Sequence, residues 1–209
     1  MRQDECESIL CKDSNSNNRL LPHRRYISEK LNLEKHKLAS FSCGVSELDT
    51  WLKNESVHAS RMRTAQTWVL VRENMQRDCN YLDSNYPYQE NHRTEVLGYY
   101  SISAHKLSRE GLPLKVAHGA PAEIPAALIG KLALDLSLQG CGLGEELLSD
   151  ALVRIVAAAK IIAIRAVVVD AINDGVIDFY KKYGFVQIPK TFRLVQKISN
   201  IEKSLNQGN

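Results

Sequence analysis

The stretch that most constrains this chain runs from Ile129 to Lys160, IGKLALDLSLQGCGLGEELLSDALVRIVAAAK. Its opening, Ile129 to Leu136, is apolar and of a length that suits a buried strand. Leu143, Leu147, Leu148, Ala151, Leu152 and Ile155 then repeat at helical spacing. Strand and helix are joined by Gln139-Gly140-Cys141-Gly142-Leu143-Gly144. Three glycines in five positions open the backbone to a ligand and permit positive φ values that turn N–H groups inward. Those donors sit at a helix start, where unpaired amides and the helix dipole favour an anion. The turn therefore predicts a pyrophosphate cradle. Glu145-Glu146 stand where a P-loop needs Lys-Ser or Lys-Thr, and the G-x-G-x-G spacing is not the G-x-G-x-x-G of a dinucleotide fold.

A second block lies downstream. Ala166-Val167-Val168-Val169-Asp170 is a β-branched run that predicts a buried strand. Asn173 to Phe185 then reads as a helix capped by asparagine and ended by Gly184. Within it a tyrosine, Tyr180, stands seven positions after Asn173 and four before Gly184-Phe185.

The remaining elements fall around these two blocks. Residues 1–25 include Ser14-Asn15-Ser16-Asn17-Asn18 and little apolar periodicity, so they are expected to be a disordered tail. A first strand is expected from about Lys30 to Leu38. An amphipathic helix should follow, with Leu48, Trp51 and Leu52 on one face and a basic end at His58, Arg61 and Arg63, stopping before Thr64. Thr67–Arg72 and Glu95–Ala104 read as strands, separated by a polar insert loop, residues 73–94. Pro113, Pro121 and Pro125 punctuate a linker into the core strand. Phe185–Ile188 and Thr191–Ile198 complete the series as strands, and residues 201–209 are expected to be a polar tail.

With 209 residues, 44% of them hydrophobic, the chain can build one sizeable core, here assigned to residues 26–200. It has no apolar run of membrane length and its first residues are acidic, so a cytoplasmic location without a membrane is expected. Five scattered cysteines without a C-x-x-C pair predict reduced thiols and no metal site; backbone amides at the helix start would lower the pKa of Cys141. The net charge of +3 does not by itself mark a nucleic-acid binder.

Gln139, Gly142 and Gly144 in Gln-x-x-Gly-x-Gly, together with the Asn173–Tyr180–Gly184-Phe185 block, resemble the GNAT family of acyl-coenzyme A-dependent N-acetyltransferases. The resemblance implies an α/β GNAT fold: a mixed, mostly antiparallel central sheet with splayed core strands, flanked by helices. It implies acetyl-coenzyme A as cofactor, held by Ala133, Leu134, Gln139, Gly140, Cys141, Gly142, Leu143, Gly144 and Asn173. Backbone amides near Leu134 would polarise the acetyl carbonyl, and Tyr180 would protonate the leaving thiolate. Gln139 replaces an arginine common in the family, and Val176 stands where alanine is usual.

Phe41-x-Cys43-Gly44-x-x-x-Leu48-x-x-Trp51-Leu52, Leu97 to Ala104, Gly130 to Asp135 and Val169-Asp170-Ala171 extend the likeness to the GNAT toxins of bacterial type II toxin–antitoxin systems. That likeness implies aminoacyl-tRNA as substrate, a ribbon-helix-helix antitoxin as partner, and room for a homodimer. The cationic partners for tRNA phosphates would be Arg61, Arg63, Lys181, Lys182, Lys190 and Arg193, each also readable as a solvated charge. Asp135 and Asp170 are the carboxylates nearest the site by sequence, as a base or as a cap. Two other functions fit the same residues: acetylation of a small-molecule or protein amine, and coenzyme binding without catalysis.

Overall fold

The computed structural model describes residues 26–73 and 93–207. A seven-stranded sheet forms its centre, in the order β1 (Tyr26–Lys30), β3 (Gln66–Arg72), β5 (Gly98–Ser108), β6 (Glu123–Leu134), β7 (Ala166–Asp170), β9 (Arg193–Lys197), β8 (Val186–Gln187). Only β6 and β7 run parallel; every other neighbouring pair is antiparallel. A small parallel bridge joins β2 (His36–Lys37) to β4 (Thr94–Glu95).

One face of the sheet is covered by α4 (Leu143–Ala159) and α6 (Ile198–Gln207), which pack with Tyr100, Ile129, Val167, Val169 and Leu194. The buried leucines and isoleucines of this layer each contribute about 2 kcal/mol by leaving water. The other face carries two separate clusters. Helices α1 (Ser46–Thr50) and α2 (Ser56–Arg61), joined without a break by a π-helical turn at Trp51–Glu55, lie with Phe41, Val69, Val71 and Tyr99. The short α3 (Leu114–Ala117) brings Val116 to Leu107, Ile124, Val168 and Val195.

Several sequence expectations are corrected. The first strand is Tyr26–Lys30 rather than Lys30–Leu38. The chain turns after Lys30 because buried His36 accepts the Asn32 N–H and donates through Nε2 to Glu29 at 2.7 Å. Strand β6 begins at Glu123, so Pro125 lies inside it rather than in a linker. The Pro125 carbonyl accepts from Arg165 N–H, which places its missing N–H on the β7 side, just ahead of the ladder that starts at Ala126. The domain also does not end in a polar tail at 201: α6 continues to Gln207, with Ile198 and Ile201 buried and Leu205 against the core. The expectations for residues 1–25 and for most of the 73–94 insert fall outside the described residues.

Candidate active site

The site begins with a fault in the sheet. On β6 Ile129 pairs with Ile102 and Lys131 with Ser101, which leaves Gly130 as an extra residue, a β-bulge. Bulges bend a strand, and the β6–β7 ladder ends at the pair Ile129 with Val169. From Gly130 onward β6 has parted from β7.

Register decides which amides face the gap. Asp135 N–H donates to Leu97 O, so Gly98 and Leu134 form a non-hydrogen-bonded pair. The backbone N–H and C=O of Leu134 therefore point away from β5, into the opening, and by alternation those of Leu132 do the same. Ala133 is the hydrogen-bonded partner of Tyr99, so its amide belongs to the ladder and its side chain to the Phe41–Tyr99 cluster. Of the two expected strand donors, Leu134 alone faces the gap.

A cleft of about 60 Å³ occupies the opening. Its walls are apolar at Leu48, Ile129, Leu132, Ile172 and Val176, with Lys131, Asp170 and Tyr180 as the polar groups. Tyr180 comes from α5 (Asp174–Lys182), is 5% exposed, and stands edge-on to Phe179 and Phe185. Burial, and then the charge of Asp170, push its phenol up to about 12. The proton therefore stays on the oxygen at neutral pH.

At the far end of β6 the glycine loop leads into α4. Gly140 and Gly142 have φ of 79° and 80°, and a Cβ at either would meet nothing within 4 Å. These two are required by backbone conformation, and they border open space. Gly144 differs: its Cβ would lie 3.8 Å from Leu134 and Phe179, on the inner side. The N–H groups of Leu143 and Gly144 head α4 without carbonyl partners inside the helix, while the Leu143 side chain is buried. The donor set fits an anionic diphosphate. Gln139 is not part of it, because its amide donates to Cys43 O at 2.9 Å and Leu134 O at 3.0 Å. Cys141 is disulfide-bonded, which corrects the expectation of a low-pKa thiol there and of reduced thiols throughout.

Asn173 caps α5, its Oδ1 accepting Val176 N–H at 3.1 Å, which leaves its side-chain NH₂ for other partners. Asp135 is a loop tie: it accepts from Ser42 N–H, Ser137 N–H and the Ser137 hydroxyl. Burial pushes its carboxyl up, but these donors outweigh burial and hold it below its ordinary value. Asp170 is gripped by Arg193, Nε to Oδ1 at 2.7 Å and Nη2 to Oδ2 at 2.9 Å.

The six expected tRNA contacts divide accordingly. Arg193 is committed to Asp170, and Lys181 lies 3.8 Å from Asp178. Lys182 lies 3.8 Å from Glu145, which also accepts the Tyr183 hydroxyl, so it borders the glycine loop rather than the acceptor side. Arg61, Arg63 and Lys190 are exposed, the last two with positive φ. Sequence reasoning missed Lys131, whose Nζ lies 5.6 Å over the Trp51 ring. Its signal was present as a lone charge in the apolar run from Ile124 to Leu134.

Among the described residues no helix is long and apolar enough to cross a membrane, and no cluster of His, Cys, Asp and Glu could hold a metal ion. Comparison with known proteins finds a probable toxin TacT of Sinorhizobium fredii, 28% identical over 78% of this chain and 85% of that protein. A tRNA-acetylating toxin of Mycobacterium tuberculosis is 28% identical over 71% of this chain and 77% of its own. Among solved structures, AtaT complexed with acetyl-methionyl-tRNAfMet superposes with a TM-score of 0.71 at 26% identity, covering 87% of this chain and 99% of AtaT. A tyrosine-to-phenylalanine variant of AtaT, bound to the C-terminus of the antitoxin AtaR and acetyl-CoA, gives 0.68 at 25% identity over 87% and 99% of the two chains. Residues 64–185, more than half of the chain, match the acetyltransferase (GNAT) family, whose members use acetyl-CoA, and the protein belongs to that family.

Proposed function

We propose that this enzyme acetylates the α-amine of aminoacyl-tRNA and so acts as a toxin that blocks translation. The observation that carries the reading is the likeness to AtaT, a protein seen with acetylated methionyl-tRNA, over 87% of this chain. The tRNA-acetylating relative from M. tuberculosis supports it. The AtaT complex with AtaR supports an antitoxin partner, which we take to be a small ribbon-helix-helix protein. Substrate and partner would place the enzyme in the cytoplasm.

Acetyl-CoA supplies an acetyl thioester. The amides of Gly140 to Gly144 would hold its diphosphate at the start of α4, and the NH₂ of Asn173 would be available to its pantetheine arm. The Leu134 N–H would donate to the acetyl carbonyl oxygen, where negative charge grows during the reaction. The lone pair of the neutral amine forms the N–C bond as the C–S bond breaks. The nitrogen loses one proton and the sulfur gains one, so the products are an N-acetylaminoacyl ester and a free thiol. Tyr180 gives the sulfur its proton and regains one from the nitrogen side through solvent. An α-amine next to an ester has a pKa well below that of an ordinary amine, so a substantial share is already neutral near pH 7 and no strong base is needed. Asp135, with its three donors, is a brace.

The test combines purified protein, labelled acetyl-CoA and a pool of charged tRNAs, followed by analysis of the aminoacyl ends. N-acetyl-aminoacyl esters are expected. Label found only on polyamines or protein would replace this reading with general amine acetylation.

A further inference from the structure

The cleft holds two opposite charges that the acetyl donor does not require. Lys131 follows the bulge on β6, Asp170 closes β7, and the strands have parted between them, so the two charges line one small cavity beside Tyr180. No ion pair joins them among the described residues. Asp170 is held from behind by the two-pronged contact with Arg193, whose Nη1 lies 3.5 Å from His105 Nε2. Lys131 is held over the Trp51 ring, which stacks on Tyr99. Both groups are thus positioned by partners and keep hydrogen-bonding capacity to spare: lone pairs on the Asp170 oxygens, N–H groups on Lys131.

We propose that Lys131 and Asp170 recognise an α-aminoacyl group at two points. Asp170 accepts an N–H of the amine, and Lys131 donates to the ester carbonyl, whose carbon is two bonds from that nitrogen. The inference rests on the aminoacyl reading above and names the groups that select it. A carboxylate that accepts one N–H of a neutral amine leaves the nitrogen lone pair free, and it limits the directions in which that lone pair can point. Arg193 holds the carboxylate in a fixed orientation through its two hydrogen bonds, so it acts as a positioning residue. A polyamine or a lysine side chain offers no carbonyl at that spacing. Binding it would strip water from the Lys131 ammonium without replacing the hydrogen bond, and sites built this way reject the analogue that lacks the group.

The test uses small acceptors, which separates the cleft from any tRNA surface: glycine ethyl ester and 2-methoxyethylamine, with rates expressed per concentration of neutral amine. Wild-type protein is expected to favour the ester by about tenfold or more in kcat/KM. In Lys131→Met the ratio should fall to within about twofold of unity, with Lys131→Arg retaining part of it, whereas Asp170→Asn should lower kcat/KM for both acceptors because both present the amine. Melting temperature and calorimetric acetyl-CoA affinity identify any variant that has lost its fold. Absence of discrimination in the wild type, a ratio unchanged in Lys131→Met, or rates on both acceptors unchanged in Asp170→Asn overturns the proposal. Ester preference without any acetylation of charged tRNA would overturn the tRNA reading and leave the two-point site standing. Acetylation of charged tRNA without ester preference would do the reverse.

Discussion

The side-chain amide of Gln139 donates to the carbonyl of Leu134 at 3.0 Å, tying the loop that precedes α4 to the end of the strand whose N–H faces the cleft. The same nitrogen reaches Cys43 O at 2.9 Å, which adds the segment leading into α1. Family members with arginine here would bring a charge to the diphosphate; this chain uses the position to brace the backbone. Gln139→Ala should therefore cost about 1–2 kcal/mol in stability through two part-buried carbonyls left without donors. Acetyl-CoA affinity should weaken in parallel, since the cradle loses its anchor. Chemical denaturation and calorimetry read the two effects, and a stable variant with weakened affinity would instead make Gln139 a direct ligand.

Gly142 and Gly144 should respond differently to substitution. Gly142→Ala places a Cβ in open space but at φ 80°, so only backbone strain opposes it, about 1 kcal/mol. Gly144→Ala meets ordinary contacts with Leu134 and Phe179 at a helical position and should be neutral or stabilising by up to about 1 kcal/mol. Gly142→Asp adds a like charge beside the diphosphate and should abolish measurable acetyl-CoA binding. Undiminished affinity in Gly142→Asp would move the diphosphate away from this loop.

Tyr180 gives a pH signature as well as a kinetic one. Its phenol is raised from 10.0 to about 12 by burial and by Asp170, so the folded state favours the protonated form. That contribution to stability is complete below pH 10 and is lost as pH rises through 12. Tyr180→Phe lacks the titrating group, and its melting temperature should fall less steeply than that of the wild type across this window. At neutral pH the same variant should lose turnover while acetyl-CoA affinity stays within a few-fold, because the missing interaction is made late in the reaction. Parallel melting curves, or full turnover, would each remove one of the roles assigned here.

Where the sequence was readable, the local pattern and the tertiary environment agreed. The glycine loop, the asparagine-capped α5 and the β-branched β7 each carry their signal within a dozen residues. The misplaced elements carry conflicting ones. Pro125 reads as a strand breaker, and only its place at the edge of the β7 ladder makes it harmless. Ile198, Ile201 and Leu205 hold a helical stripe, but the polar residues between them resemble a tail until α4 supplies the surface they cover. The bulge at Gly130 depends on β5 register, and the grip of Arg193 on Asp170 depends on β9 lying beside β7. Neither fact is local, so a charge assigned to tRNA in the sequence turned out to be bound within the fold.

Arg61 ends α2 and Arg63 follows it at φ 58°, both exposed, and no ion pair involves either among the described residues. Leu48, on the same continuous helical segment, lines the cleft. The helical rise from Leu48 places Arg61 about 20 Å farther along, too far to meet the reacting ester but in reach of phosphates deeper in a bound acceptor arm. Such contacts act through counterion release, so they strengthen binding without touching the chemistry. Reversing both charges, Arg61→Glu with Arg63→Glu, should raise KM for aminoacyl-tRNA by about tenfold or more at low salt and flatten its salt dependence. The kcat at saturation, the acetyl-CoA affinity and the rate with glycine ethyl ester should change little, because none of these uses the distal surface. Kinetics at several salt concentrations, with charged tRNA and with the free ester side by side, separate the effects. Equal losses on both substrates would indicate a disturbed fold or cleft, and an unchanged salt slope would show that the tRNA phosphates lie elsewhere.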